Sequence, residues 1–330
     1  MGETIADHLT KSSAGDGIRF PHSLYTADIC DEVAESVVNF QRRYGGRSEQ
    51  ITDRLDRYRK LLEKATGDVK QAASHNDKRG PAYTLCPYFA VRSLSDKWWQ
   101  VMLRIWNSAE KTDNSAEISP VVSITDVFSL QQAFEYVPSA LSPRMFFWIP
   151  SFDERRAPAS HLRQLKQVVE TSSAQNYELI NLYGGYFSIL LGKFGLTGFN
   201  NGLGYSESRA WPTLGATGAA PARYYMRRLH AYLPPATATA MIDIDSAFSC
   251  SCRICSNGKR PNDLSYHELK QHFALARAWE IERSESCTVQ DLCETMRDDA
   301  NRSEVAKSSL PGSLRIPTDH LSQWADALES

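Results

Sequence analysis

Apolar residues recur at helical spacing through the first third of the chain. The segments DICDEVAESVVNFQRRY and ITDRLDRYRKLLEKATGDVKQAA show it within residues 20–76, and SDKWWQVMLRIWNSAEK shows it after the short apolar run YTLCPYFAV. This spacing is typical of amphipathic helices that pack one face on a core. The pattern predicts a helical N-terminal region over residues 1–115 and leaves open whether this region contributes the first strands of the following domain.

The pattern changes from Pro120 onward, where short apolar runs end in polar or glycine-rich residues and are mostly followed by helical stretches. The runs are SPVVSITD, RMFFWIPSFDE, YELINLYGG, GLTGFNNGLGYSE, ARYYMRRLHAYLP and TAMIDIDSA. Alternation of strands and helices indicates an α/β fold with a parallel sheet. Because there are so many units, we expect a (β/α)8 barrel of the TIM type over residues 116–248.

Acidic residues stand where several of these predicted strands end. Asp126, Asp153 and Asp245 close three of them, and Glu207 closes a glycine-rich exit. Chemistry in such barrels is carried by the C-terminal strand ends. One aspartate in this position most often caps the next helix, but four acids together favour a shared site. Asp243 shares the strand face of Asp245, because side chains on a strand alternate with a period of two.

Composition excludes several classes of protein. The chain has 330 residues, of which 42% are hydrophobic and 23% charged, and its net charge is -2, as in ordinary globular proteins. No apolar run could cross a membrane and the N-terminus lacks a signal-peptide profile, so we expect a cytoplasmic protein without membrane contact. The near-neutral charge means that any contact with nucleic acid must come from local basic patches.

Three of the seven cysteines lie within six residues, while the other four are scattered without the spacing of a disulfide framework. Cys250, Cys252 and Cys255 form C-x-C-x-x-C, which is too tight for mutual disulfides but suits three thiolates around one tetrahedral zinc ion. His267 and His272 follow on a predicted helix, and either could be the fourth ligand. A closed Cys3His set predicts a structural Zn²⁺, not a catalytic one. We expect a zinc subdomain over residues 249–290 and a C-terminal tail over residues 291–330.

Five segments in this order resemble the tRNA-guanine transglycosylase superfamily, which includes the bacterial queuosine enzyme, the archaeal archaeosine enzyme and the DNA-modifying relatives called DpdA. The likeness covers roughly residues 118–285. The segments are SITD (family L-T-D-S-G-G-F-Q), SFDE (A-F-D-E), LYGG (V-Q-G-G), NGLGYSE (G-G-L-A-V-G-E) and IDSAF (F-D-S-A). The cysteine segment is also followed, as in the family, by a histidine in L-x-x-H-x-x-L and then E-I, and this selects His272 as the fourth ligand.

The resemblance implies a pentosyltransferase that exchanges a base at C1′ of a flipped nucleotide. Asp245 would attack C1′ and form a covalent ester, as the nucleophile of a retaining glycosidase does. Asp126 would protonate the departing guanine and deprotonate the incoming base. Asp153 would accept hydrogen bonds from N1-H and the exocyclic amine. The rest of the base would be bound by Tyr183, Gly184, Gly185, Gly202, Leu203 and Glu207. The D-S-A match favours Asp245 over Asp243, and both remain candidates for the nucleophile.

Two departures from the family bear on the substrate. Tyr183 stands where the family has a base-reading glutamine, and only four residues separate Asp245 from Cys250, where the bacterial tRNA enzymes carry a basic insertion that contacts RNA. DNA is therefore slightly favoured over tRNA. A substitute basic patch would combine arginines and tyrosines: Arg223, Arg227 and Arg228 with Tyr224, Tyr225 and Tyr232. The same segment fits equally well a buried aromatic strand with snorkelling arginines.

The leading hypothesis is thus a transglycosylase that replaces guanine in a polynucleotide by a 7-deazaguanine such as preQ0. One alternative is a non-catalytic, zinc-bearing partner subunit of such an enzyme. Another is a base-exchange enzyme or glycosidase acting on nucleosides. The expected partners are nucleic acid and the free base, with partner proteins or a homodimer left open.

Overall fold

A computed structural model describes residues 84–86, 88–111, 118–150, 152–201, 207–208, 221–256, 258–310 and 316–330. Most of the predicted helical N-terminal region lies outside these residues, and so do the candidate base-binding residues Gly202 and Leu203. The helix predicted in SDKWWQVMLRIWNSAEK is present.

Strands and helices alternate through the middle of the chain. The strands are β1 (Thr84–Leu85), β2 (Ile118–Ser119), β3 (Val121–Ser123), β4 (Arg144–Trp148), β5 (Glu178–Asn181), β6 (Leu196–Phe199), β7 (Tyr224–Met226) and β8 (Ala231–Leu233). The α-helices are α1 (Lys97–Glu110), α2 (Leu130–Glu135), α3 (Ala159–Ala174), α4 (Tyr186–Leu191), α5 (Pro235–Ile244), α6 (Tyr266–Ser286), α7 (Val289–Ser308) and α8 (Asp319–Glu329). The predicted α/β class is confirmed.

Four parallel strands form the central sheet in the order β3-β4-β5-β6, so neighbours in sequence are neighbours in space. Val122, Phe147 and Asn181 stand side by side across it. β1 pairs with β2 in parallel, and an isolated parallel bridge joins Val91 to Ile124. This sequential parallel order is that of βαβ units. Within the residues that the structure describes, the strands do not close into an eight-stranded barrel.

The segment ARYYMRRLHAYLP departs from the predicted alternation. It forms an antiparallel hairpin in which β7 pairs with β8 and Tyr225 stands opposite Tyr232. A single turn of 3-10 helix, Arg227–Leu229, joins the strands, and His230 closes it in the left-handed conformation with φ 45°. A left-handed histidine is uncommon. It lets the chain reverse within a few residues, so both strands come from one short segment.

The strand predicted in TAMIDIDSA is wrong, because residues 235–244 form helix α5. Pro235 occupies its first turn, where a proline's fixed φ suits a helix and its missing N–H costs nothing. Alanines follow at positions 236, 238 and 240, and Thr237, Ala238 and Met241 form the buried face. Asp243 lies in the last turn and Asp245 directly after the helix, so neither stands at the end of a sheet strand.

Helices cover one face of the sheet and continue to the C-terminus. Apolar residues of α3 join the core that contains Phe147 and Leu179 of the sheet. Residues 291–330, expected to be a tail, contain most of α7 and all of α8, which pack on each other, while α8 also packs on α3. Trp324 of α8 is fully buried. None of the described helices is long and apolar enough to span a membrane.

Candidate metal centre and adjoining pocket

Local structure places three thiols and one imidazole at a single point. A tight turn brings Cys255 back toward Cys252, with the Cys255 N–H donating to the Cys252 oxygen at 2.8 Å. Helix α6 starts with a capping box in which Ser265 and Glu268 satisfy each other's backbone N–H groups. His272 lies two turns into this helix and is fully buried. The donor atoms of Cys250, Cys252, Cys255 and His272 all lie within 4.8 Å of one another.

These distances and donor types fit a tetrahedral zinc site. Bonds of about 2.3 Å to sulfur and about 2.0 Å to nitrogen place a sulfur and a nitrogen ligand about 3.6 Å apart. His272 Nδ1 lies 3.4 Å from Cys252 Sγ and 3.5 Å from Cys255 Sγ. Its Nε2 donates to the Tyr225 oxygen at 2.8 Å, which leaves Nδ1 free to bind a metal. The four residues could therefore hold a metal ion, whereas His267 is exposed.

A narrow pocket lies at the carboxyl ends of β4 and β5. Its lining combines charged, aromatic and backbone groups: Asp153, Glu154, Arg155, Gly185, Tyr186, Glu207 and Trp324. The carboxyl ends of parallel strands are where ligands bind in α/β proteins. Asp153, Glu154 and Arg155 follow β4, and Gly185 and Tyr186 follow β5. Trp324 lines the pocket from α8.

Glu154 holds the floor of this pocket together. Its carboxylate accepts from the Gly185 N–H at 3.0 Å, the Ser188 N–H at 3.3 Å and the Ser188 hydroxyl at 2.5 Å. Burial raises its pKa to about 7, although these hydrogen bonds act in the opposite direction. A Cβ at position 185 would lie 2.8 Å from the Glu154 carboxylate, so a side chain there would displace this carboxylate from its hydrogen bonds. Trp324 Nε1 donates to the Glu154 backbone oxygen at 2.8 Å.

Arg277 of α6 connects the pocket to a buried network of charges. It donates one terminal nitrogen to Glu207 and the other to Glu280, at 2.8 Å for the latter. Glu280 also accepts from the Tyr225 hydroxyl at 2.8 Å and lies 2.5 Å from His230 Nδ1. Burial alone would raise the pKa of Glu280, but the charges of Arg277 and His230 bring it below its ordinary value. For Glu207, burial outweighs Arg277 and raises the pKa.

Tyr225 joins the metal centre to this network. Its backbone oxygen accepts from His272, and its hydroxyl donates to Glu280. His272 and Arg277 also stand on the same helix, little more than one turn apart. Tyr225 therefore orients the candidate ligand His272 through its backbone oxygen. Through Glu280 it also supports Arg277, which fixes Glu207 at the pocket.

Of the predicted site residues, Asp153, Gly185 and Glu207 come together at the pocket. The two catalytic candidates, Asp126 and Asp245, make local capping contacts instead. Asp126 accepts from the Phe128 N–H at 3.1 Å and the Ser129 hydroxyl at 2.7 Å, as a capping aspartate does. Neither Asp126 nor Asp245 is among the residues that line the pocket.

Asp245 caps the 3-10 turn Ser246–Phe248. It accepts from the Ala247 N–H at 2.9 Å and pairs with Arg302 at 2.8 Å. The backbone hydrogen bond from Ala247, followed by Arg302, lowers its pKa. Asp243, the alternative nucleophile, is exposed and pairs with Arg260. Both carboxylates are therefore occupied by arginines away from the pocket lining.

Tyr183 and Gly184 belong to the same loop after β5 without lining the pocket. The Tyr183 ring lies 5.4 Å from the ring of Trp148. The Gly184 N–H donates to the Asn200 oxygen at 3.0 Å, and a Cβ there would lie 2.5 Å from the Ser188 hydroxyl. The predicted binding segment thus supplies one lining residue and two residues that shape the loop.

The segment predicted as a basic patch, residues 223–232, contains a buried aromatic strand. Tyr224 and Tyr225 are fully buried, so their rings are not available to stack on bases. Arg227 lies over the Trp279 ring at 3.9 Å, and Arg228 donates to the Ala247 oxygen at 2.7 Å and to Asp299. Arg223 is half-buried. Tyr232 is also half-buried and packs against the ring of Tyr225.

No protein-family model, curated protein or solved structure matches this chain.

Several residues of this site were not among the predicted ones: Glu154, Arg155, His230, Arg277, Glu280 and Trp324. Glu154 and Arg155 directly follow Asp153 in SFDER, so their position beside a predicted site residue was a usable signal. Arg277 and Trp324 had none, since an arginine on a helix is ordinarily solvated and a tryptophan is ordinarily core. Their roles depend on contacts across 70 and 170 residues of chain.

Proposed function

We propose that this protein is a base-exchange enzyme of the tRNA-guanine transglycosylase type, which replaces guanine in a polynucleotide by a 7-deazaguanine such as preQ0. One observation carries the proposal. Asp153, Gly185 and Glu207 come from three separate segments that resemble the family's base-binding segments, and all three line one pocket. The proposal includes closure of the parallel sheet into a (β/α)8 barrel, in which this pocket lies at the C-terminal mouth.

The pocket offers the groups that a guanine edge needs. The Asp153 carboxylate accepts from N1-H and the exocyclic amine, and the missing side chain of Gly185 leaves room for the Glu154 carboxylate beside Glu207. Glu207 is held in place by Arg277. The target nucleotide must leave its stack to enter. DNA is slightly favoured over tRNA, because Asp245 and Cys250 are too close in sequence for an RNA-binding insertion between them.

The exchange takes place in two displacements. A carboxylate oxygen of Asp245 attacks C1′, the bond from C1′ to N9 of guanine breaks, and the leaving base takes a proton from Asp126. The incoming base then gives its N9 proton to Asp126, N9 attacks C1′, and the Asp245 carboxylate is released. No proton is gained or lost overall. In the first step the Asp245 carboxylate must leave its ion pair with Arg302 and contact the sugar of the bound nucleotide.

A zinc ion would be held by Cys250, Cys252, Cys255 and His272. It would supply no chemistry to the exchange, because all four positions of its coordination sphere are taken by protein ligands. Its contribution is structural: the ligand His272 fixes helix α6 and, through Tyr225, the hairpin that borders the pocket.

One observation favours a second candidate, a non-catalytic zinc-bearing partner subunit. Asp126 and Asp245 both cap short turns, and neither lines the pocket in the described part of the chain. Such a subunit would retain the metal centre and the fold, and it would bind nucleic acid or a catalytic partner without exchanging bases.

Incorporation of label distinguishes the two. Purified protein is incubated with radiolabelled preQ0 or guanine and, separately, with DNA, tRNA and free nucleosides. The enzyme proposal predicts label in one of these acceptors, preferably DNA, and no label with Asp153→Ala. Asp326→Ala, an exposed aspartate on α8, is the matched control. Absence of label in every acceptor, with a folded protein that contains metal, would support the non-catalytic subunit.

A further inference from the structure

Tyr224 contacts two of the four candidate metal ligands from a separate element of the fold, strand β7. Its side chain is fully buried, and its ring is stacked on the imidazole of His272, with centroids 4.3 Å apart and planes 12° from parallel. Its hydroxyl lies 3.9 Å from Cys255 Sγ. Side chains alternate along a strand, so Tyr224 faces the metal centre while the next residue, Tyr225, turns its hydroxyl to Glu280.

The Tyr224 hydroxyl has one hydrogen-bond partner among the residues that the structure describes, the Cys255 sulfur. A buried hydroxyl without a partner destabilises a fold, and phenylalanine would fill the same space without that cost. The sulfur therefore accounts for a tyrosine at this position. A metal-bound cysteine is a thiolate without a hydrogen, so in the metal-loaded protein the hydroxyl donates and the sulfur accepts.

The metal centre needs such donors, because its charges do not cancel. Three thiolates around one divalent ion leave one negative charge in excess, and a buried excess charge is costly unless hydrogen-bond donors face it. The Cys252 N–H donates to Cys250 Sγ at 3.4 Å. The Tyr224 hydroxyl supplies the corresponding donor for Cys255, the most buried of the three cysteines.

We infer that Tyr224 is a positioning residue of the metal centre: it donates to the Cys255 thiolate and holds the plane of the His272 ring, and so sets how tightly the metal is retained. Tyr225 accepts from Nε2 of the same ring, so two consecutive residues of β7 orient the histidine from its face and from its edge. Outer partners of metal ligands typically contribute about 10–100-fold to metal affinity. This role is independent of base exchange.

Tyr224→Phe tests the inference, because it keeps the ring and removes only the hydroxyl. Competition with a chromophoric chelator should show that the variant binds Zn²⁺ about 10-fold more weakly than wild type. In the Co²⁺-loaded variant the thiolate-to-cobalt charge-transfer band should lie at longer wavelength, since a sulfur that accepts no hydrogen bond gives up electron density more easily. Tyr177→Phe is the matched control, at a half-buried tyrosine that packs on the core before β5, and both measurements should match the wild type.

Unchanged Zn²⁺ affinity and an unchanged cobalt spectrum in Tyr224→Phe would overturn the inference, even if the variant is less stable, because the hydroxyl would then serve only the packing of the core.

Alkylation of the zinc-loaded wild type with iodoacetamide gives a second measurement if Tyr224→Phe does not fold. Each reaction joins a thiolate sulfur to carbon, expels iodide and removes one metal ligand, and peptide mass analysis shows which sulfur has reacted. Cys255 should react last of the three cysteines, because its sulfur is buried and accepts from Tyr224. Reaction of Cys255 before or together with Cys250 and Cys252 would overturn the role of Tyr224.

Discussion

The imidazole of His272 donates its Nε2 hydrogen to the backbone oxygen of Tyr225 at 2.8 Å. A carbonyl can only accept, so the ring carries a hydrogen on Nε2, and Nδ1 is the nitrogen that faces the thiols. The same tyrosine donates its hydroxyl to Glu280. One residue therefore orients a metal ligand and supports the charge network at the pocket.

Metal binding should depend on His272 and not on His267. His272→Ala removes one of the four donors, and we expect loss of zinc and a lower free energy of unfolding, because metal binding contributes folding free energy. His267→Ala is the control on the same helix, and its zinc content should remain about one ion per chain. Metal analysis and thermal unfolding measure both. Cys252→Ser should be insoluble or unfolded, and folded wild type without metal would contradict the assignment.

Arg277→Met should be strongly destabilising. It leaves the buried carboxylates of Glu207 and Glu280 without their shared partner, and removing one member of a buried pair costs about 3–5 kcal/mol. Arg297→Met is the control, since Arg297 pairs with Glu329 and Asp326 on the exposed surface, where a pair contributes about 0–1 kcal/mol. Urea unfolding compares the two. Equal costs would mean that the pocket network is solvated.

Glu154 should make stability fall as the pH rises. Burial raises its pKa from an ordinary 4.5 to about 7, so across this window the folded protein holds a proton that the unfolded chain has released. The free energy of unfolding therefore decreases through the window and levels off above it. Relative to Glu154→Gln, which is neutral throughout, the wild type should lose at most about 3 kcal/mol.

Urea unfolding of wild type and Glu154→Gln from acidic to neutral pH measures this difference. Glu178→Gln, at a half-buried residue that pairs with Arg144, is the control and should follow the wild type. Parallel curves for wild type and Glu154→Gln would show that folding does not raise the pKa of Glu154.

The covalent step should depend on Asp245. Wild-type protein mixed with its polynucleotide and no incoming base should form an adduct that survives denaturation. Asp245→Asn should form none, because an amide is a poor nucleophile, and it should still fold, because asparagine is as good a helix cap as aspartate. Denaturing electrophoresis detects the adduct. Asp243→Asn is the matched control, and loss of adduct in that variant alone would exchange the two roles.

Asp126→Asn should form adduct slowly. The amide cannot deliver a proton to departing guanine, and a positioned acid typically contributes about 10²–10⁴-fold to the rate. A rapid-quench time course of adduct formation measures it against wild type. Wild-type rates in this variant would remove Asp126 from the mechanism and leave it as the cap of its 3-10 turn.

The histidine-bearing helix and the parallel strands could be predicted because their signals are local. The pair Ser265 and Glu268 marks the start of α6, and the apolar runs from residue 121 to residue 199 alternate with helical stretches. The strand predicted for MIDID failed for a related reason. A short apolar run fits both the helical period of about 3.6 residues and the strand period of two. The proline and alanines that favour helix α5 lie before the run. The hairpin of β7 and β8 depended on a left-handed residue at His230, which sequence does not reveal.

The α/β class, the cluster of three thiols and the acid that follows β4 could be predicted, because each depends on residues close together in the chain. The folded chain alone shows that His272 faces the thiols, that Arg277 holds Glu207, and that Asp243 and Asp245 pair with arginines instead of ending a strand. These outcomes depend on side chains tens of residues apart meeting in one low-dielectric interior. The energy of such a contact comes from burial and geometry, which no local pattern encodes.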